Sequence, residues 1–244
     1  MGRLGNNMFQ YAYIRSVAER KNYDFYICSN SDEIYQFNNI FPHLNIYDKV
    51  GNCNEHVELM DKTNFLNSYY DLNDNMLTNG FFQNFKYFDG MPIRDWFKIY
   101  LNENEELKFN EILNRYNPNE YCYIHFRGTD FQLIEEYYTS PEWFEEAKKL
   151  SGSDKFLVIT DDIERAKNFI NADDFISSNY KIDLKLLTSS KKIIIPTFST
   201  FGWWGAWLSD AEIIITPKNM TTLSNNPAFK EDELFHVNDR FTYL

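Results

Sequence analysis

The chain has 244 residues, 43% of them apolar and 18% aromatic, enough for one large domain or two small ones around a sizeable core. A net charge of −12 argues against a nucleic-acid partner, since neutralising phosphates takes clustered Lys and Arg. No apolar run reaches the roughly 18 residues of a membrane span, and no secretory signal stands at Met1, so a cytoplasmic protein is expected.

In chain order, Asn6 or Asn7 can cap a helix whose buried stripe is Phe9, Ala12, Tyr13, Ser16 and Val17. Gly2 and Gly5 permit a tight turn beside it. Tyr23–Cys28 reads as a strand, and the polar stretch from Ser29 to Thr78 gives no clear element. Asn117-Pro118-Asn119 marks a boundary that divides the chain into lobes 1–117 and 118–244. Cys28, Cys53 and Cys122 are odd in number and widely spaced. They read as buried thiols in a reducing compartment, with no CxxC pair for zinc or redox work.

The second half alternates strands and helices. Tyr121–Phe126 is a strand. Ser140 then caps a helix with Pro141 in its first turn, running to Leu150 and broken by Ser151-Gly152-Ser153. Lys155–Thr160 is a strand, and Asp161-Asp162 cap a helix to about Ile170. A short strand near Phe175-Ile176 and a helix from about Ile182 to Ser189 follow. A strand over Lys192–Thr197, a helix over Thr200–Leu208 and a strand over Glu212–Thr216 complete the pattern. Strands of continuous Ile and Val between short helices imply an α/β fold with a parallel sheet covered on both faces. Ligands of such sheets bind beyond the C-terminal strand ends.

Candidate site residues fall at those ends. Arg127 carries paired, permanently charged donors suited to phosphate, although an ion pair with Asp130 is the competing role. Ser199 and Thr200 stand where a helix N-terminus offers N–H groups to an anion, or where they act as an ordinary cap. Asp161 and Asp162 suit helix capping, or the binding of a metal or of ribose hydroxyls. Asp183 suits a cap or the N–H groups of a purine. Trp203, Trp204 and Trp207 are expected in the core. No carboxylate or His cluster has metal-ligand spacing, so no metal is expected.

Several segments together resemble the alpha-1,2-fucosyltransferases, glycosyltransferase family 11. "GRLGNNMFQYA" (2–12) is similar to the opening motif Gly-Gly-Leu-Gly-Asn-Gln-Met-Phe-Gln-Tyr-Ala. "GFFQNFKYF" (80–88) looks like a second motif, and "HFRGTDF" (125–131) resembles the His-x-Arg-Arg-Gly-Asp-Tyr signature. "VITDD" (158–162) and "STFGWWGAWLSD" (199–210) resemble later motifs, in order. The resemblance implies a two-lobed GT-B-type fold with Rossmann-like lobes, the acceptor on the N-terminal side and the donor on the C-terminal side. It implies an inverting, metal-independent transfer of L-fucose from GDP-fucose to the 2-hydroxyl of a terminal galactoside, with no cofactor.

On the same resemblance, Arg127 and His125 lie at the donor, Arg127 at its diphosphate. Ser199 and Thr200 lie near the β-phosphate, Asp183 where related fucosyltransferases contact guanine, and Asn6 near the sugar. Asp130 or Glu135 would take the acceptor proton. Gly128 stands where the signature has a second arginine, and Asn7 where it has glutamine. Thr129-Asp130 is a variant found among fucosyltransferases more widely. Almost nothing precedes Gly2, so the family's first strand is expected to be missing or truncated. The rival readings are a fucosyltransferase with another acceptor, sugar or protein, and a nucleotide-sugar-binding protein without turnover.

Overall fold

A computed structural model describes residues 3–27, 31–51, 57–60, 76–129, 139–196, 199–217 and 239–244. They divide into two units at Tyr100/Leu101, with the C-terminal 239–244 joining the second.

The second unit is built on six parallel strands. They are β3 (Tyr121–Phe126), β4 (Lys155–Thr160), β5 (Asp174–Ile176), β6 (Lys192–Ile194), β7 (Ile213–Thr216) and β8 (Thr242–Tyr243), in the order β5-β4-β3-β6-β7-β8. β3 pairs with β4 over its whole length, from Tyr121↔Lys155 to Phe126↔Thr160, and with β6 at Tyr123↔Ile193 and Ile124↔Ile194. The chain therefore winds outward one way from β3 through β5, then returns and winds the other way from β6 through β8. This is the doubly wound arrangement.

Alternation sorts each strand's side chains onto two faces. Cys122, Ile124 and Phe126 of β3 join Phe156, Val158, Ile194 and Ile215 in one core with Phe144, Ala147 and Ala166. Phe144 and Ala147 come from α5 (Pro141–Ser151) and Ala166 from α6 (Ile163–Phe169). On the opposite face His125 meets α8 (Thr200–Leu208), whose Gly205 packs on Leu187 of α7 (Tyr180–Ser189). Burial pushes the Cys122 thiol up to about 12, so it is an inert core residue.

Most second-half boundaries follow the sequence. Ser140 accepts from the Trp143 N–H as N-cap with Pro141 behind it, and Gly152 closes α5 at φ 60°. Three differ. Of Asp161-Asp162, only Asp162 caps α6, accepting from the Arg165 N–H. Helix α7 opens at Tyr180 because the Asn179 side chain takes the N–H groups of Lys181 and Ile182, which leaves Asp183 inside the first turn. Strand β6 stops at Ile194, just before Pro196, which has no N–H for the ladder.

Helix α4 (Glu103–Arg115) was not foreseen. Its signal is a capping box: the Asn102 side chain accepts from the Glu105 N–H while Glu105 accepts from the Asn102 N–H. Glu105 also binds Lys181 at 2.6 Å and Asn179 at 3.1 Å, so α4 packs with the second unit. The division thus falls before α4, at Tyr100/Leu101, and not at 117/118.

The first unit holds α1 (Leu4–Lys21), α2 (Ser31–Ile40), a short helix α3 (Ile93–Trp96) and a two-stranded parallel pair, β1 (Val57–Met60) and β2 (Met76–Asn79). The expected stripe of α1 is buried: Phe9, Ala12, Tyr13, Ser16 and Val17. Its start differs. Arg3 occupies the cap position, and Gly5, Asn6 and Asn7 lie within the helix. Over 22–27 no strand forms. Ile27 makes a single parallel bridge to Val50, and Tyr23 and Tyr26 stand exposed with no pleated surface to pack on. Gly2, Cys28 and Cys53 lie outside the described residues. Among the described residues no helix is long and apolar enough to cross a membrane.

Candidate active site

The winding reverses between β3 and β6, and in doubly wound folds such a reversal at the C-terminal edge of the sheet is where a ligand crevice is expected. Parallel strands place all their C-terminal ends along that edge. His125, Arg127 and Gly128 end β3; Asp161 and Asp162 end β4; Ser178 and Asp183 follow β5; Ser199 and Thr200 follow β6. Seven of the sequence candidates thereby share one edge of one sheet.

His125 Nε2 lies 2.7 Å from Ser199 Oγ, which joins the two strand ends at the reversal. Ser199 Oγ also accepts from the Gly202 N–H at 3.2 Å as the cap of α8. The ring is 6% exposed. Burial pushes its pKa down to about 4, helped by the Arg127 charge, while Asp161 and the Ile159 carbonyl pull upward. The ring is therefore neutral near pH 7. Nδ1 is buried without a hydrogen-bond partner of good geometry. Gly202 makes room for this ring, since a Cβ there would stand 2.6 Å from His125 Cδ2. His125 is thus buried behind Ser199, with its Nε2 on the Ser199 hydroxyl.

Asp161 spans to the β3 loop. Oδ1 accepts from the Gly128 N–H and Oδ2 from the Thr129 hydroxyl, each at 2.6 Å. A Cβ at Gly128 would lie 2.5 Å from Asp162 Cβ, so this position has no space for a side chain as the loops now stand. Arg127 is half-buried and within electrostatic reach of His125.

Asp183 is buried, and its Oδ1 accepts from the Ser178 hydroxyl at 2.8 Å. Burial pushes its carboxyl up to about 7; the Ser178 bonds and the Lys108 charge pull down, and Asp161 adds to the rise. Thr200 is buried beside Ser199.

Asn6 belongs to the first unit. There the first two sequence motifs prove to be one structural element. Gln83 Nε2 donates to Asn6 Oδ1 at 2.8 Å, and Gln10 Nε2 donates to the Gly80 carbonyl at 2.7 Å. Phe82 stacks on Tyr13 at 3.9 Å with the planes 9° apart. It holds φ at +49°, an uncommon conformation for a bulky residue that turns the chain between Phe81 and Gln83. Asp130 and Glu135 lie outside the described residues. Among the described residues no group of three or more His, Cys, Asp or Glu is placed to hold a metal ion.

Gln83, Thr129 and Gly202 were not singled out from sequence, though each sits in a segment that was. The glycine inside an aromatic helix was the clearest signal for Gly202.

No protein-family model matches the chain. Two Escherichia coli proteins align with nearly all of it. An alpha-1,2-colitosyltransferase is 27% identical over 96% of this chain and 92% of its own. The O-antigen biosynthesis glycosyltransferase WbnK is 28% identical over 97% and 98%. Among solved structures, a mutant of Arabidopsis thaliana FUT1 in complex with GDP matches with a TM-score of 0.53 at 11% identity, covering 91% of this chain and 70% of that one. At that identity the likeness concerns the fold, and it bears out the α/β, GT-B-type class.

Proposed function

We propose that this chain is an inverting, metal-independent glycosyltransferase that moves L-fucose from GDP-fucose to the 2-hydroxyl of a terminal galactoside. The observation that carries the reading is the His125–Ser199 bond at the winding reversal, with Arg127 one residue past β3. Ser199 Oγ takes the Gly202 N–H, leaving the amides of Thr200 and Phe201 without intrahelical partners at the start of α8. Those amides, the Ser199 hydroxyl and the Arg127 guanidinium form a seat for a diphosphate. Asp183 accepts the paired N–H groups of guanine.

The acceptor hydroxyl attacks the anomeric carbon from the face opposite the leaving group, so the configuration inverts. As the bond to the β-phosphate oxygen breaks, fixed donors at the seat meet the growing negative charge. A carboxylate, Asp130 or Glu135, takes the acceptor proton. The first unit, with Asn6, receives the acceptor side. The donor seat supports this reading together with two full-length relatives that are glycosyltransferases.

The test is GDP release from GDP-fucose with a panel of glycans in excess EDTA. Turnover that depends on a terminal galactose is expected. Release without any acceptor dependence, or activity that returns only with Mg²⁺ or Mn²⁺, would count against it. The colitosyltransferase relative favours one second reading, in which the sugar moved is colitose. GDP-colitose offered beside GDP-fucose decides between them.

A further inference from the structure

We propose that Asp161 is a positioning residue that latches the Arg127 loop onto β4 through Gly128 and Thr129. The inference rests on the proposed donor seat for its functional meaning, though the latch itself is read from geometry alone.

Both carboxylate oxygens of Asp161 are engaged by consecutive residues of the neighbouring loop, each at 2.6 Å. Two charge-assisted bonds to one backbone N–H and one hydroxyl fix the loop in position and in rotation. The platform beneath is itself held. Thr160 Oγ1 accepts from the Asp162 N–H at 3.0 Å, and Asp162 caps α6. β3 and β4 end in register, Phe126 opposite Thr160, so the two loops leave the sheet side by side. Gly128 completes the arrangement. With the latch closed, a Cβ there would collide with Asp162 Cβ at 2.5 Å. The residue type follows from the latch: only glycine lets the loop lie this close to Asp162. Arg127 is the residue immediately before the latched pair, so its backbone is set by the Gly128 bond. Asp161, with both oxygens occupied, acts on the donor through Arg127.

Thr129→Val removes one of the two bonds, Asp161→Ala removes both, and Thr129→Ser and Asp161→Asn keep bonding groups in place. Hydrogen exchange at the Gly128 amide in the ligand-free protein reads the latch without reference to activity. Exchange should quicken at least tenfold in Asp161→Ala and stay near wild type in Asp161→Asn and Thr129→Ser. In GDP-fucose turnover, Asp161→Ala should lower kcat by about tenfold or more while the Kd for GDP changes less than about threefold, since a misplaced loop costs orientation more than binding. The double variant Asp161→Ala/Thr129→Val should be no worse than Asp161→Ala, because the partner of Thr129 is already gone.

Unchanged Gly128 exchange in Asp161→Ala overturns the latch. So do losses that multiply in the double variant, or a Kd for GDP that rises as much as kcat falls, which would make Asp161 a direct donor contact. If Asp161→Ala fails to fold, the comparison of Thr129→Val with Thr129→Ser on Gly128 exchange carries the test, and equal behaviour of the two overturns the latch. Wild-type protein that turns over no nucleotide sugar while the Gly128 amide behaves as expected would sink the proposed function and leave the latch standing.

Discussion

Ser178 donates its hydroxyl to Asp183 Oδ1 at 2.8 Å across the start of α7, and this bond is an acid's main local support in a buried position. The carboxyl remains protonated in the fold up to about 7, whereas its ordinary value is 3.8. The fold gains from the neutral form at low pH and loses that gain as pH rises from the unfolded value through about 7. His125 acts in the opposite sense. Held to about 4 from 6.5, it contributes stability above 6.5 that is lost as pH falls through about 4.

Asp183→Asn is therefore expected to change the pH dependence of melting. Between about pH 4 and 6.5 the two groups oppose each other, so the wild-type melting temperature should change little there, whereas the variant, freed of the Asp183 loss, should show the full rise from acid that His125 imposes. Melting curves across this range check it, and identical profiles would show that Asp183 is not titrating there.

The same carboxyl must ionise to accept the N–H groups of guanine. GDP affinity should strengthen as pH rises through about 7 in wild type, and the GDP preference over ADP should shrink in Asp183→Ala. Each charge-assisted bond lost costs about 1.5–3 kcal/mol. A GDP/ADP inhibition ratio that stays unchanged while the protein melts earlier would reduce Asp183 to a structural acid.

Gly202→Ala places a methyl group 2.6 Å from His125 Cδ2. The ring sits on a β-strand and the methyl on a helix backbone, so neither yields easily. Destabilisation of roughly 1–3 kcal/mol is expected, with loss of the Ser199 contact and of turnover. His125→Ala made in the same chain should recover much of the stability and none of the turnover. Thermal melts and initial rates of the single and double variants separate the two effects.

Arg127→Lys keeps the charge and discards the planar pair of donors. Turnover should fall about 10²–10³-fold, the usual consequence of removing one donor from a developing anion, with a smaller change in the KM for GDP-fucose. A lysine variant within about threefold of wild type would refute the bidentate role.

Gln83→Leu removes the donor that holds Asn6 Oδ1. Transfer to acceptor should drop while GDP affinity stays at the wild-type value, because Asn6 and the nucleotide seat belong to different units. Equal losses in both would contradict this assignment.

The second half was legible because local signals and fold agree there. Tyr121–Ile124 and Phe156–Ile159 are uninterrupted apolar runs at the heart of β3 and β4, and Ser140-Pro141 and Gly152 are strong punctuation, so sequence bounds and structural bounds coincide. From strands and helices in that order, the strand-end location of Arg127 and Ser199 follows directly. What was hidden needs partners distant in sequence. Nothing near Asn6 announces that Gln83 will occupy its oxygen, so it read as a cap. Nothing near Gly128 announces Asp162, so the glycine read as a missing charge. Tyr23–Cys28 has strand-forming residues, yet Tyr23 and Tyr26 stand exposed and the backbone over 23–26 stays irregular.

Trp203 and Trp207 stack on α8, ring centroids 4.8 Å apart and planes 12° from parallel, with Phe241 stacked beside them. Indoles this close and this nearly parallel couple their electronic transitions, so the pair gives the protein its own optical signature in circular dichroism. The signal depends on the turn of helix that begins at Ser199. A ligand that seats itself at that end, or a variant that unwinds it, announces itself in the spectrum of the unlabelled protein before any product is measured.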